Sequence, residues 1–140
     1  VRKTYLARVH GHPVDDQFVC NAPIATSPGE KGLRLIDPDG HNAETEFQVL
    51  RRLDDGTAVL QVTPLTGRTN QIRLHLWHLG FPIVGDPAYL SDSQTAENRT
   101  LSVDGAQMCL HALSLSLHDR NGEHREFSVP APTWAEMTEN

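Results

Sequence analysis

Arg68 and Arg73, in the stretch from Pro64 to Asp86, are the side chains best placed to act on an anion. Thr66 and Gly67 can serve the free N–H groups at the start of a helix expected over residues 68–79. Gly80 can take the left-handed conformation that ends it, and Pro82 forbids its resumption. At about 100° per residue, Ile72, Leu76 and Leu79 share one face, while Leu74 and Trp77 fall on another. The helix is therefore expected to be buried between layers. Arg73 stands at the edge of its apolar body, between Thr69 and Trp77, so its guanidinium should be partly desolvated. A buried arginine needs a carboxylate or phosphate held by parallel hydrogen bonds. A capped amphipathic helix is more often core than site, so these features alone do not establish a function.

His75 and His78 also share this helix, about 60° apart by helical geometry. They have no Glu or Cys in the usual neighbouring position, so a zinc site is not expected. Asp86, after Gly85, is expected to be a turn or cap carboxylate that organises the segment after Pro82.

The elements that must position these residues read as α+β. Alternation over 3–10 predicts a strand, broken by Gly11, His12 and Pro13. Residues 26–42 are rich in turn signals around a short apolar piece at 33–36. Segments 44–53 and 57–64 flank Asp55-Gly56, an ordinary hairpin signal, with Phe47 and Val49 able to pair across with Leu60 and Val62. Residues 90–108 read as a polar surface loop with a brief helical turn at 96–99. A last hairpin is expected from 109–117 and 124–129 around Asn121-Gly122. Consecutive hairpins imply a largely antiparallel sheet with the 68–79 helix on one face, in a single domain over 1–140.

The run Thr66-Gly67-Arg68-Thr69-Asn70-Gln71-Ile72-Arg73, followed by Phe81-Pro82-Ile83-Val84-Gly85-Asp86, resembles the C-terminal signature of the RluA-type RNA pseudouridine synthases. Asn70 and Phe81 stand where many members have His. Lys3-Thr4-Tyr5-Leu6-Ala7 is similar to the strand that carries that family's active-site tyrosine. Leu110-His111-Ala112 and Phe127-Ser128-Val129-Pro130 match its closing hairpin.

The resemblance implies an enzyme that detaches uracil from ribose, turns it and rejoins it through carbon, with no metal or other cofactor. It implies Tyr5 as the pocket tyrosine that stacks on the base. Arg73 would hold the catalytic aspartate, and Ile72 would form an apolar wall. Lys3, Arg68, Thr69, Asn70 and Gln71 would contact ribosomal or transfer RNA. The family's Arg-Leu-Asp motif precedes the tyrosine strand and is absent here. Arg52-Leu53-Asp54 follows Tyr5, lacks the motif's Ser-Gly end and sits at a hairpin turn, so it is a false match. The expectation is the C-terminal portion of a catalytic domain, inactive alone and completed by an N-terminal half. Val1, in place of Met, suits a processed piece.

A formal net charge of −6 weighs against a free-standing RNA binder. The charge does not decide the matter, because Lys31, Arg34, Arg51, Arg52, Arg68 and Arg73 can gather on one side, away from Glu136 and Glu139, and the missing half can carry positive surface; weak affinity is expected from this piece alone. Cys20 and Cys109 show no paired metal-ligand spacing, and no apolar run is long enough to cross a bilayer, so a cytoplasmic protein is expected. Two classes stand: a pseudouridine synthase, and a non-catalytic RNA-binding module derived from that fold.

Overall fold

The computed structural model describes residues 2–29, 33–90, 108–118, 120–132 and 134. Strands β1 (Arg2–His10), β2 (Gln17–Cys20), β3 (Thr45–Arg52) and β4 (Thr57–Pro64) precede one helix, α1 (Gln71–His78); β5 (Leu110–His118) and β6 (His124–Ser128) follow it. They form one sheet in the order β2-β3-β4-β1-β5-β6, antiparallel at every pairing. Both expected hairpins are present, with Phe47 opposite Val62 and Val49 opposite Leu60. The loop expected over 90–108, with its turn at 96–99, falls mostly outside the described residues, as do Lys31, Glu136 and Glu139.

β1 and β4 take the centre because both of their faces are apolar. Ala7, Val9, Leu60 and Val62 pack with Phe47, Ile72 and Leu76 on the helix side of the sheet. Leu6, Val59 and Leu53 meet Leu113, Ala131 and Trp134 on the other. Burying each such large side chain contributes about 1.5–3 kcal/mol. The helix is covered on its outer side as well, where Leu74 packs with Ile24, Leu33, Ala43, Ala88 and Tyr89. Its two apolar faces thus serve two clusters, as their angular separation predicts.

The helix begins three residues later than expected, at Gln71 rather than 68. Asn70 is left-handed, with φ of 57°, which no preceding helical turn could feed. Thr66 does not cap the helix; its hydroxyl accepts from the Glu44 N–H (3.0 Å) and donates to Gln71 Oε1 (2.6 Å). The far end closes as predicted at Gly80, with φ of 90°. Phe81 N–H reaches the Leu76 carbonyl and Gly80 N–H the Trp77 carbonyl, satisfying the last turn.

β2 has no counterpart in the sequence reading, because four residues, Gln-Phe-Val-Cys, are too few for a periodic signal. Tertiary contact fixes it: Phe18 stacks on Phe47 with ring centroids 4.9 Å apart.

Candidate active site

Tyr5 emerges from β1 at a bulge, where the pairing with β5 shifts between Thr4 and Tyr5. The ring is half-buried against the main core. It faces a cleft of about 480 Å³ whose wall also includes Lys3, Arg68, Asn70, Gln71, Ile72 and Arg73. Residues from opposite ends of the sequence reading therefore converge on one cavity. Thr69 alone among the expected site residues lies elsewhere, on a smaller neighbouring cleft. Ile72 belongs to the core cluster while lining the cleft, which is what an apolar wall requires.

Arg73 finds its carboxylate within the chain. Nε and Nη2 each donate to Asp86, at 2.8 Å, in a bidentate pair. The Asp86 side chain is 0% exposed and that of Arg73 19%. Asp86 also accepts from the N–H groups of Ala88 (2.9 Å) and Tyr89 (3.1 Å), as its expected turn role requires. The hydrogen bonds to Asp86 hold Arg73 protonated above its ordinary range, against the opposing effect of burial. Its guanidinium lies 5.2 Å from the centroid of the Tyr89 ring, a second favourable contact. Arg73 thus has a carboxylate partner within the chain in addition to the upstream aspartate that the resemblance implies. One edge of the guanidinium is committed to Asp86, and only Nη1, with a long 3.3 Å contact to Asn70, remains weakly engaged. The signal for this pairing was present, since a buried arginine requires a carboxylate and Asp86 is only 13 positions on.

Gln71 lines the cleft mainly as a structural residue. Its side chain turns inward, and the residue is only 4% exposed. Nε2 donates to the Glu44 carbonyl and to Thr45 Oγ1, both at 2.9 Å. Oε1 accepts from Thr66 Oγ1 and, at 3.1 Å, from the Arg68 N–H. With both ends of its amide used, Gln71 fixes the 66–70 loop. Arg68 is exposed and tethered through Nε to the Asn42 carbonyl at 2.9 Å.

The same network continues to His75, which is 0% exposed. Thr45 Oγ1 donates to Nδ1 and Nε2 donates to the Ala22 carbonyl, both at 2.8 Å; this tautomer follows from the neighbouring partners. His75 is therefore a structural residue, with both nitrogens used inside the protein. Burial pushes its pKa below the ordinary 6.5, despite the opposing bond to Ala22. The neutral form is the folded form. Above the unfolded value its contribution is fully present. As pH falls below that value the unfolded chain takes up a proton that the folded chain refuses, so stability declines until the lower folded pKa is passed. Urea midpoints should therefore fall from about pH 7 to pH 5 more steeply in the wild type than in His75→Gln. Equal slopes would contradict the neutral buried assignment.

The basic side chains divide instead of gathering on one side. Arg68 and Arg73 line the main cleft. Arg52, at the other end of β3, pairs with Asp16 at 2.9 Å and donates to the Pro13 carbonyl at 3.0 Å. Asp55 bonds to Thr57 and Arg8 at the β3–β4 turn, consistent with rejecting the motif-like Asp54 and Asp55 as catalytic.

A six-stranded antiparallel sheet, a bulged tyrosine strand and an arginine helix facing one cleft define a known class. Residues 1–78 match the family described as RNA pseudouridylate synthase. The chain belongs to that family, and its relatives are of the RluA type. It is 39% identical over 142 aligned residues to YlyB of Bacillus subtilis, described as an uncharacterized RNA pseudouridine synthase. To RluA of Escherichia coli K12, described as a dual-specificity RNA pseudouridine synthase, it is 33% identical over 132. These alignments cover 100% and 93% of the chain but 44% and 57% of the relatives, so the chain spans about half their length. The structure of human RNA Pseudouridylate Synthase Domain Containing 1 superposes with a TM-score of 0.75 at 29% identity, covering 94% of this chain and 55% of that one. Human RNA Pseudouridylate Synthase Domain Containing 4 shares the fold at 0.72 and 23%, covering 96% and 59%.

Proposed function

We propose that this chain is the tyrosine-and-arginine portion of a pseudouridine synthase that acts on ribosomal or transfer RNA in the cytoplasm. The observation that carries the reading is the convergence of Tyr5, Ile72, Arg73, Lys3 and Arg68 on one cleft. Its volume of about 480 Å³ falls within the range of small-molecule sites, and the aromatic ring and apolar wall suit a flipped base. The reaction is an isomerisation. The bond from N1 to the ribose C1′ breaks, a bond from C5 to C1′ forms, the C5 proton leaves and N1 gains one.

Tyr5 stacks on the displaced uracil and is the hydroxyl available to move that proton. Arg73, oriented by Asp86 through Nε and Nη2, presents Nη1 to the nucleophilic carboxylate, which comes from the N-terminal half. Lys3, Arg68 and Asn70 meet the RNA strand at the rim, where arginine and lysine favour phosphate. Among the described residues no helix is long and apolar enough to cross a membrane, which agrees with an RNA substrate in the cytoplasm.

The test is pseudouridine formation in unmodified ribosomal and transfer RNA by the native polypeptide that carries this chain. In the same protein, Arg68→Ala should weaken RNA binding and reduce the slope of log affinity against log salt by about one. Unchanged affinity and slope would remove Arg68 from the RNA interface.

A further inference from the structure

Residues 67 and 68 form a wall shared by two clefts. On the side away from Tyr5 lies a second cavity, of about 220 Å³, to which Arg34, Arg68, His41, Thr26 and Thr69 contribute. Among the described residues its lining contains no Asp or Glu, in a chain whose net charge is −6. Asp37, on the neighbouring turn, accepts from the Asp39 N–H within that turn.

The cavity is a built one. Ile24 and His41 exchange backbone hydrogen bonds of 3.0 and 2.7 Å, and Ala25 N–H donates to the Leu35 carbonyl at 2.9 Å. Gly40 permits this approach, because a Cβ there would sit 2.2 Å from the Ile24 carbonyl oxygen. Arg34 is clamped by its backbone. The Tyr89 hydroxyl accepts from the Arg34 N–H at 3.1 Å and donates to its carbonyl at 2.7 Å. Tyr89 also lies beneath Arg73 and is held by Asp86. One buried carboxylate therefore positions arginines on both clefts.

The Arg34 guanidinium is nevertheless poorly satisfied. Its Nε is buried with no hydrogen-bond partner among the described residues, and Nη1 has one long contact, 3.4 Å, to the Ala25 carbonyl. A fork of donors on a backbone fixed by Tyr89, with no acid partner among the described residues, suits an anionic oxygen from outside. Arg68 reaches the same cavity with its terminal nitrogens uncommitted among the described residues, since its hydrogen bond to Asn42 uses Nε.

We propose that this second cleft binds a backbone phosphodiester of a nucleotide flanking the target uridine, between Arg34 and Arg68. The strand then crosses residues 67 and 68 from one cleft to the other. The assignment rests on the function proposed above and adds a subsite to it.

The test measures binding of a single-stranded oligouridine by the native polypeptide across a salt series, together with KM for pseudouridine formation. Arg34→Gln should weaken binding about fivefold to tenfold and lower the salt slope by about one, with KM rising in step; Arg34→Lys should keep the slope. Thr26→Glu sets a carboxylate at the exposed rim of the same cleft, where it competes with phosphate for Arg34 and repels it, and should weaken binding similarly. Arg120→Gln, on the β5–β6 turn, controls for loss of one charge and should change neither quantity. Unchanged affinity and slope in Thr26→Glu and in folded Arg34→Gln would overturn the subsite, as would an equal loss in Arg120→Gln. Inorganic phosphate bound through Arg34 at constant ionic strength, with oligouridine affinity the same in wild type and Arg34→Gln, would make this a free-phosphate site and overturn it also. Failure of the broader reading looks different: RNA binding that depends on Arg34, with no pseudouridine formed by the wild type.

Discussion

Asp86→Asn is expected to destabilise the fold by about 3–5 kcal/mol, the penalty for stranding one member of a buried ion pair. That is a large part of the roughly 5–15 kcal/mol that holds a domain of this size together. The cause is local. Asp86 is fully buried, both of its oxygens are used, and the Arg73 guanidinium it neutralises is itself mostly covered. Asparagine keeps the acceptor toward Ala88 and Tyr89 but presents an N–H to a cation. Arg73→Ala uncovers the same carboxylate and should cost a comparable amount. The double variant Arg73→Met with Asp86→Leu should recover stability relative to either single change, because an apolar pair leaves no stranded charge. Urea unfolding of the wild type, Arg73→Met, Asp86→Leu and the double variant closes the cycle and measures the coupling directly. Additive losses would mean that the two side chains do not depend on each other.

The second large effect concerns turnover. Tyr5→Ala in the native polypeptide should lower kcat for pseudouridine formation by about 10² to 10⁴, the range associated with a positioned proton-transfer group. Tyr5 is half-buried at a strand bulge, so the loss in stability should be smaller than for a core residue. Tyr5→Phe divides the two roles. It keeps the ring that replaces base stacking, worth about 1–3 kcal/mol per base, and removes only the hydroxyl. Phenylalanine should therefore bind RNA like the wild type while turning over slowly, and alanine should lose both. Wild-type turnover in Tyr5→Phe would confine the tyrosine to stacking.

Much of this was legible in the sequence because it is encoded locally. Asp55-Gly56 and Asn121-Gly122 announce hairpins through the conformations their turns demand, and Gly80 with Pro82 announces the end of the helix. The angular offset between Ile72 and Leu74 foretold a helix covered on two sides. What escaped depends on distance in sequence. β2 exists because Phe18 meets Phe47, not because four residues prefer a strand. The left-handed Asn70 that delays the helix is held in a loop bridged by Gln71, Thr66 and Glu44. A polar glutamine beside two arginines reads as a surface residue until its inward partners are known. Asp86 was legible as a turn carboxylate and Arg73 as an arginine in need of an acid; that the two meet is set by tertiary packing. Arg34 was legible only as one of several basic residues that could lie near Arg68; its clamp is Tyr89, 55 positions away.

The decisive measurement is tritium release from RNA carrying uridine tritiated at C5, by the native polypeptide and by its Tyr5→Ala variant. The C5 hydrogen must leave when the ribose is rejoined through that carbon, so release reports the isomerisation itself. Release by the wild type, falling at least about a hundredfold in the variant, is the predicted result. RNA bound by the wild type without any release, or release undiminished by Tyr5→Ala, would contradict the assignment of this cleft as the uridine pocket.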